Sequence, residues 1–181
     1  MAIYFTSDTH FGDTRILKSA RRPFATIAAH DAEIIARWQA TVSEDDEIWH
    51  LGDVAPGYTA EALDALLEKL PGRKHLVTGN NDDAATRNHP GWASVQDYAE
   101  LTFDGVLCIL FHYPLRTWNK IGKGAIDLHG HSHAMLKPLT RQYDVGVDAF
   151  DFTPVTLETI RARRRRPLNR PGSRAARSPL P

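Results

Sequence analysis

Three features of the 181-residue chain predict an α/β fold. Short β-branched and aromatic runs alternate with amphipathic stretches at helical spacing through the first half. A polar cluster follows each of the first three runs, the place where open α/β sheets build their sites. Four further strand-like runs with little helical signal then follow, which fits two stacked sheets flanked by helices.

Residues 2–6 read as the first strand and end at the polar Ser7 and Asp8. Residues 26–42 set Ile27, Ile34, Ile35 and Trp38 at helical spacing, with Asp31 and Glu33 toward the start. Residues 47–51 form a short second strand that delivers Gly52-Asp53. The helical pattern returns in residues 59–70 through Leu63, Leu66, Leu67 and Leu70, and stops at Pro71-Gly72. A third strand, residues 74–78, delivers Gly79-Asn80-Asn81-Asp82. Residues 95–101, 103–112, 125–129 and 142–147 read as the later strands, with turn residues between them.

A mass of 20.3 kDa, 42% hydrophobic residues and 24% charged residues suit a single globular domain and exclude a fibre. No apolar run approaches the roughly 20 residues that span a bilayer, and the first one leads straight into Asp8, which leaves no room for a signal peptide. The single cysteine, Cys108, sits in the apolar run 106–111 and reads as a buried thiol, so the cytoplasm is the expected compartment. Net charge is zero, but residues 161–181 hold eight arginines and no acid. Removing those eight from 22 basic residues leaves 14 against 22 acidic ones, so residues 1–160 carry a net charge of minus eight. Such a body repels phosphate esters unless cations sit in its site.

Five polar clusters carry the chemistry: Asp8-Thr9-His10, Gly52-Asp53, Gly79-Asn80-Asn81-Asp82, Phe111-His112-Tyr113 and Gly130-His131-Ser132-His133. They offer carboxylate, amide and imidazole donors without thiolate, a set that suits Mn, Zn, Fe, Co or Ni. Asp8 and His10, like His131 and His133, stand two residues apart, which on an extended segment points both side chains the same way. The order DxH, GD, GNxD, a lone His and GHxH resembles the calcineurin-like metallophosphoesterase superfamily, and more narrowly its small single-domain bacterial and phage members. The likeness covers residues 1 to about 160.

That resemblance implies a four-layer α-β-β-α sandwich with two stacked mixed sheets. It implies two divalent metal ions, with manganese the first choice, held by Asp8, His10, Asp53 and His133 on one side and by Asp53, Asn80, His112 and His131 on the other. It implies a phosphoesterase in which hydroxide bridging the metals attacks phosphorus, with no covalent enzyme intermediate. Two divalent cations, less the charges of Asp8, Asp53 and the hydroxide, leave one positive charge for a phosphate oxygen. Asn81 departs from the pattern, because many relatives carry His there to stabilise the transition state or protonate the leaving alkoxide. An amide can donate a hydrogen bond but cannot deliver a proton near neutral pH. Phosphodiesters, pyrophosphates and activated aryl esters are therefore expected ahead of alkyl monoesters.

Asn81 and Asp82 are grouped here with the catalytic side chains, and Arg116, four residues after His112, as a phosphate clamp. The alternative for Arg116 is a surface arginine stacked on Trp118. Asp13 reads first as a helix cap before Thr14 and second as a substrate contact. His50 reads as a packing or supporting residue, and His30, His75, His89 and His129 as ordinary. Residues 161–181 form a basic, Pro-containing tail expected to be disordered, its first residues continuing a terminal helix. Two other functions stay open at this point. One is a non-catalytic interaction protein on the same fold. The other is a nuclease tethered to nucleic acid by the tail, which the acidic body and the tail's lack of aromatic residues disfavour. No membrane partner is expected, and the oligomeric state is not readable.

Overall fold

Two mixed β-sheets stack face to face in the computed structural model, which describes residues 1–163. The elements run β1 (Ile3–Thr6), α1 (Thr14–Ser19), α2 (Ile27–Thr41), β2 (Glu47–His50), α3 (Ala60–Leu67), β3 (Arg73–Val77), α4 (Ala84–Arg87), β4 (Ser94–Gln96), β5 (Tyr98–Phe103) and β6 (Val106–Phe111). After a 3-10 turn at Ile121–Lys123 come β7 (Ile126–His129), β8 (Gln142–Asp144), β9 (Val155–Thr156) and α5 (Leu157–Ala162). The first sheet has the order β4-β3-β2-β1-β9, parallel except for β9. The second has the order β5-β6-β7-β8, antiparallel at β5–β6 and parallel beyond.

Strand alternation sorts the core into layers. Ile48 and Leu76 face Ile34, Trp38, Leu63, Leu66 and Leu67 of the helices, while Phe5, Trp49 and Val77 face the second sheet at Cys108, Leu110, Ile126 and Leu128. The outer face of the second sheet is covered thinly: Ile109 packs with Trp118, Ala125, Leu115 and Ile121 from the segment that carries the 3-10 turn. Helix starts are fixed by side chains. Thr26 and Thr59 accept hydrogen bonds from the Ala29 and Ala62 amides, and the short α1 and α4, which periodicity does not reveal, are capped by Asp13 and Asp83.

Three predicted strands differ from the structure. The run 95–101 is broken at Asp97, where the chain leaves the first sheet at β4 and enters the second at β5. The run 103–112 contains the turn at Asp104 and Gly105, both in the left-handed region at φ 49° and 75°, so β6 starts at Val106. The run 142–147 stops pairing at Asp144, beyond which a single bridge from Ser7 to Gly146 joins the ends of the two sheets. Cys108 is fully buried, and burial pushes its thiol up to about 12. The last helix runs through Ala162, into the first residues of the basic segment, and the disorder expected of the tail concerns residues 164–181, which lie outside the described residues. Among the described residues no helix is long and apolar enough to cross a membrane.

Candidate metal centre

All five polar clusters converge where strands of both sheets end. Asp8 and His10 follow β1, Asp53 follows β2, Asn80 and Asn81 follow β3, His112 follows β6, and His131 and His133 follow β7. The extended geometry expected for the paired ligands is not what the chain adopts. Asp8, His10, Asp53, His131 and His133 all lie in the left-handed region, with φ between 46° and 63°. Tight loops rather than continued strands aim these side chains, at a cost of about 1–2 kcal/mol per residue that the surrounding bonds must offset.

Those bonds can be traced. The pairing of β1 with β2 continues past both strands, because the Asp8, His10 and Phe11 amides donate to the carbonyls of Gly52, Asp53 and Val54 at 2.9, 3.0 and 2.9 Å. Asp82 braces the other side of the same loop, accepting from the amides of Asp53, Val54 and Gly79 at 2.9, 2.9 and 2.7 Å. Asp144 pins the last loop by accepting from the Ser132 hydroxyl at 2.6 Å and the Ala134 amide at 2.9 Å. The glycines of the motifs permit the close approach: a Cβ on Gly130 would overlap Ser7 Oγ and the Asp8 carboxylate, and one on Gly52, at φ 90°, would overlap the Gly79 amide.

At the centre, Asp53 Oδ2 lies 3.4 Å from His10 Nε2 and 3.6 Å from His112 Nε2. Its two oxygens also accept from Asn81, one from the backbone amide at 2.8 Å and the other from the side chain at 2.6 Å. Burial pushes the Asp53 carboxyl up, but the approach of His10, the neighbouring His112 ring and the bonds from Asn81 outweigh it and hold the group well below the usual carboxylate range. Asp8 is fully buried, and its carboxylate accepts from the His131 amide at 2.9 Å and from the Ser7 hydroxyl at 2.8 Å. Burial raises it to about 7, although the charge of His133 pulls the other way.

Two groupings have ligand atoms within 4.8 Å of one another: Asp8 with His10 and His133, and Asp8 with Asp53 and His112. Asp8 is thus common to both, a place the resemblance gives to Asp53. Asn80 joins the second group by its side-chain oxygen, 3.0 Å from His112 Nε2. His131 is exposed, with its ring edge-on to His112 and Tyr113 at 5.2 and 4.7 Å between centroids.

The donor set fits a divalent cation. His112 Nδ1 lies 2.7 Å from the Leu51 carbonyl, which can only accept, so the proton sits on Nδ1 and Nε2 presents its lone pair. That lone pair faces the Asn80 and Asp53 oxygens, an arrangement of acceptors that a cation satisfies. His10 is 4% exposed, yet neither of its ring nitrogens has a hydrogen-bond partner among the described residues. A buried imidazole with no hydrogen bond on either side and flanked by carboxylates has donor atoms suited to a divalent cation.

The remaining predicted residues fall elsewhere. Asp82, grouped in the sequence with the catalytic side chains, is 4% exposed and accepts from three backbone amides, a geometry that suits bracing the loop. Arg116 is exposed, and among the described residues no hydrogen bond or ion pair ties it to the cluster. Asp13 caps α1 by accepting from the Arg15 amide at 3.0 Å, and it also lies 3.4 Å from His10 Nδ1. His50 is buried against Trp38, lies 3.0 Å from the Thr9 hydroxyl, and is driven down to about 3 by burial. Sequence reasoning missed Arg22, His30 and Asp148, which are bonded to one another and to the site. Asp148 carried a usable signal, since it closes the apolar run Val145-Gly146-Val147 as Asp53 closes β2. Arg22 carried none.

The family model for the calcineurin-like phosphoesterase superfamily domain matches residues 1–146. Gene 66 protein of Mycobacterium phage D29 is 32% identical over 186 residues, an alignment that covers 84% of this chain and 92% of that protein. An uncharacterised protein of Methanocaldococcus jannaschii is 28% identical over 166 residues, covering 87% and 88%. Among solved structures, a protein of unknown function from Aquifex aeolicus superposes with a TM-score of 0.71 at 22% identity, covering 88% of this chain and 97% of that one, which shows a shared fold.

Proposed function

The chain belongs to the calcineurin-like phosphoesterase superfamily, and from that membership we propose that it hydrolyses phosphoester bonds with two divalent metal ions held by Asp8, His10, Asp53, Asn80, His112, His131 and His133. One observation carries the reading: the buried His10 imidazole makes no hydrogen bond at either nitrogen and has a carboxylate oxygen of Asp13 or Asp53 3.4 Å from each, within a cluster of carboxylates and imidazoles. When bound, such a pair of ions lowers the pKa of water and offsets the charge of a phosphate.

The chain's own residues supply the rest. Asp8 and Asp53 place two carboxylates at the centre of a ring of imidazoles, and these neutral donors bind cations without cancelling their charge. His112 is held in the tautomer that leaves Nε2 free by its bond to the Leu51 carbonyl. Asn81 holds Asp53 through two hydrogen bonds, and an amide there has no acidic proton to give a leaving alkoxide. Esters whose leaving groups depart without protonation are favoured, which places activated phosphodiesters, pyrophosphates and aryl esters ahead of alkyl monoesters.

The test is a phosphoester panel assayed with added Mn and with a chelator, beside Asp53→Ala. Hydrolysis of bis-p-nitrophenyl phosphate that requires Mn and is lost in the variant supports the reading. Absence of hydrolysis of every ester under both conditions supports the non-catalytic interaction protein instead, and efficient hydrolysis of glycerol phosphate removes the diester preference.

A further inference from the structure

Arg22 has no exposed side-chain surface, and all five of its guanidinium N–H donors are used. Nε and one terminal nitrogen grip the two oxygens of Asp148 at 2.9 and 2.7 Å. The terminal nitrogens also donate to the Asp8 and Thr9 carbonyls at 2.6 and 3.0 Å and to His30 Nε2 at 2.7 Å. Because arginine only donates, His30 Nε2 accepts, and its Nδ1–H turns to Asp31 at 2.7 Å. Asp31 in turn accepts from the Gly12 amide at 3.0 Å. On the far side, Asp148 Oδ2 accepts from His133 Nδ1 at 2.8 Å.

The network spans Asp31, His30, Arg22, Asp148 and His133, and it touches the site at two places far apart in sequence. At one, Arg22 holds the carbonyls of Asp8 and Thr9, between which and His10 the backbone twice enters the left-handed region. At the other, Asp148 accepts the hydrogen bond of His133 Nδ1–H, which leaves Nε2 to join Asp8 and His10. Arg22 and Asp148 are 126 residues apart, so their ion pair adds to the Ser7–Gly146 bridge in holding together two loops distant in sequence.

We infer that Arg22 and Asp148 are positioning residues for the Asp8–His10–His133 half of the metal centre, assembling it before the ion arrives. The inference rests on the two-ion reading above. It requires the planar fork as well as its charge, because a lysine ammonium has three donors on a single nitrogen and cannot hold Asp148, both carbonyls and His30 at once. It requires the carboxylate as well as its shape, because an amide at position 148 can turn an N–H toward His133 and favour the tautomer whose Nε2 is protonated and unable to bind metal.

Calorimetric titration of the full chain with MnCl2 tests this in wild type, Asp148→Asn and Arg22→Lys, alongside long-range 1H–15N imidazole spectra of the metal-free proteins at pH 8. Wild type is expected to bind two equivalents, and each variant to keep one site at wild-type affinity while the other weakens by about 10–100-fold. The His133 tautomer is expected to switch in Asp148→Asn. Two sites of unchanged affinity in both variants overturn the inference. So does a parallel loss of both sites together with a lowered melting temperature, which is the mark of a merely structural pair. If Arg22→Lys does not fold, Asp148→Asn decides alone. Wild type that binds no Mn is a different failure, since it removes the two-ion reading and this inference with it.

Discussion

Asn81 donates its side-chain amide to Asp53 Oδ2 at 2.6 Å, the same oxygen that faces His10 and His112. The residue that departs from the resembled pattern is therefore tied to the carboxylate at the middle of the cluster. Its amide stabilises that carboxylate and cannot act as an acid.

Restoring a proton donor at this position is expected to change leaving-group preference. In Asn81→His, kcat/KM for glycerol phosphate should rise at least about tenfold relative to bis-p-nitrophenyl phosphate, within the range that general acid catalysis contributes. Steady-state kinetics on the two esters measure it. An unchanged ratio means that position 81 does not set the preference.

Asp8 should make the metal-free protein pH-sensitive. Its folded value of about 7 lies above the ordinary 3.8, so folded protein holds this proton more tightly than unfolded chain does. The resulting penalty is absent below about pH 4, grows between pH 4 and 7, and is complete above 7. His133 is also raised: burial lowers it, but the bond to Asp148 and the charges of Asp8 and Asp148 outweigh burial. Both groups must lose protons to ligate metal, so Mn affinity is expected to fall as pH drops below 7. Metal-free Asp8→Asn should exceed metal-free wild type in stability at pH 8 by on the order of 2–4 kcal/mol, much less at pH 5, and lose most of its stabilisation by Mn. Thermal melts at the two pH values, with and without Mn, read this directly. An equal difference at both pH values counts against it.

Asp82→Asn separates positioning from catalysis. The variant's NH2 group must face a backbone N–H where Asp82 now accepts three, so a loss of about 1.5–3 kcal/mol in denaturant unfolding is expected. The pH profile of kcat should keep its shape. Loss of a limb of that profile with stability intact would make Asp82 an acid or base after all.

The convergence of the motif residues was legible because each cluster follows a strand end with a distinctive local pattern, and the helices at α2 and α3 because apolar spacing and threonine caps agree. The conformation of the ligand loops was not. Two-residue spacing suggested extended segments, but left-handed turns at Asp8, His10, His131 and His133 depend on partners elsewhere in the chain, such as Arg22 and Asp144. The break at Asp97 was hidden for a similar reason. Strand-forming residues continue across it, and only the Thr78 hydroxyl, which bonds the Asp97 carboxylate, and the change of sheet reveal that the strand ends. Arg22 and Asp148 meet across 126 residues, a pairing with no local trace.

Anomalous diffraction from crystals grown with MnCl2 tests the central claim most directly. Two peaks are expected, one among Asp8, His10 and His133 and the other among Asp53, Asn80 and His112. A single peak, or none at these side chains, would contradict a two-ion centre.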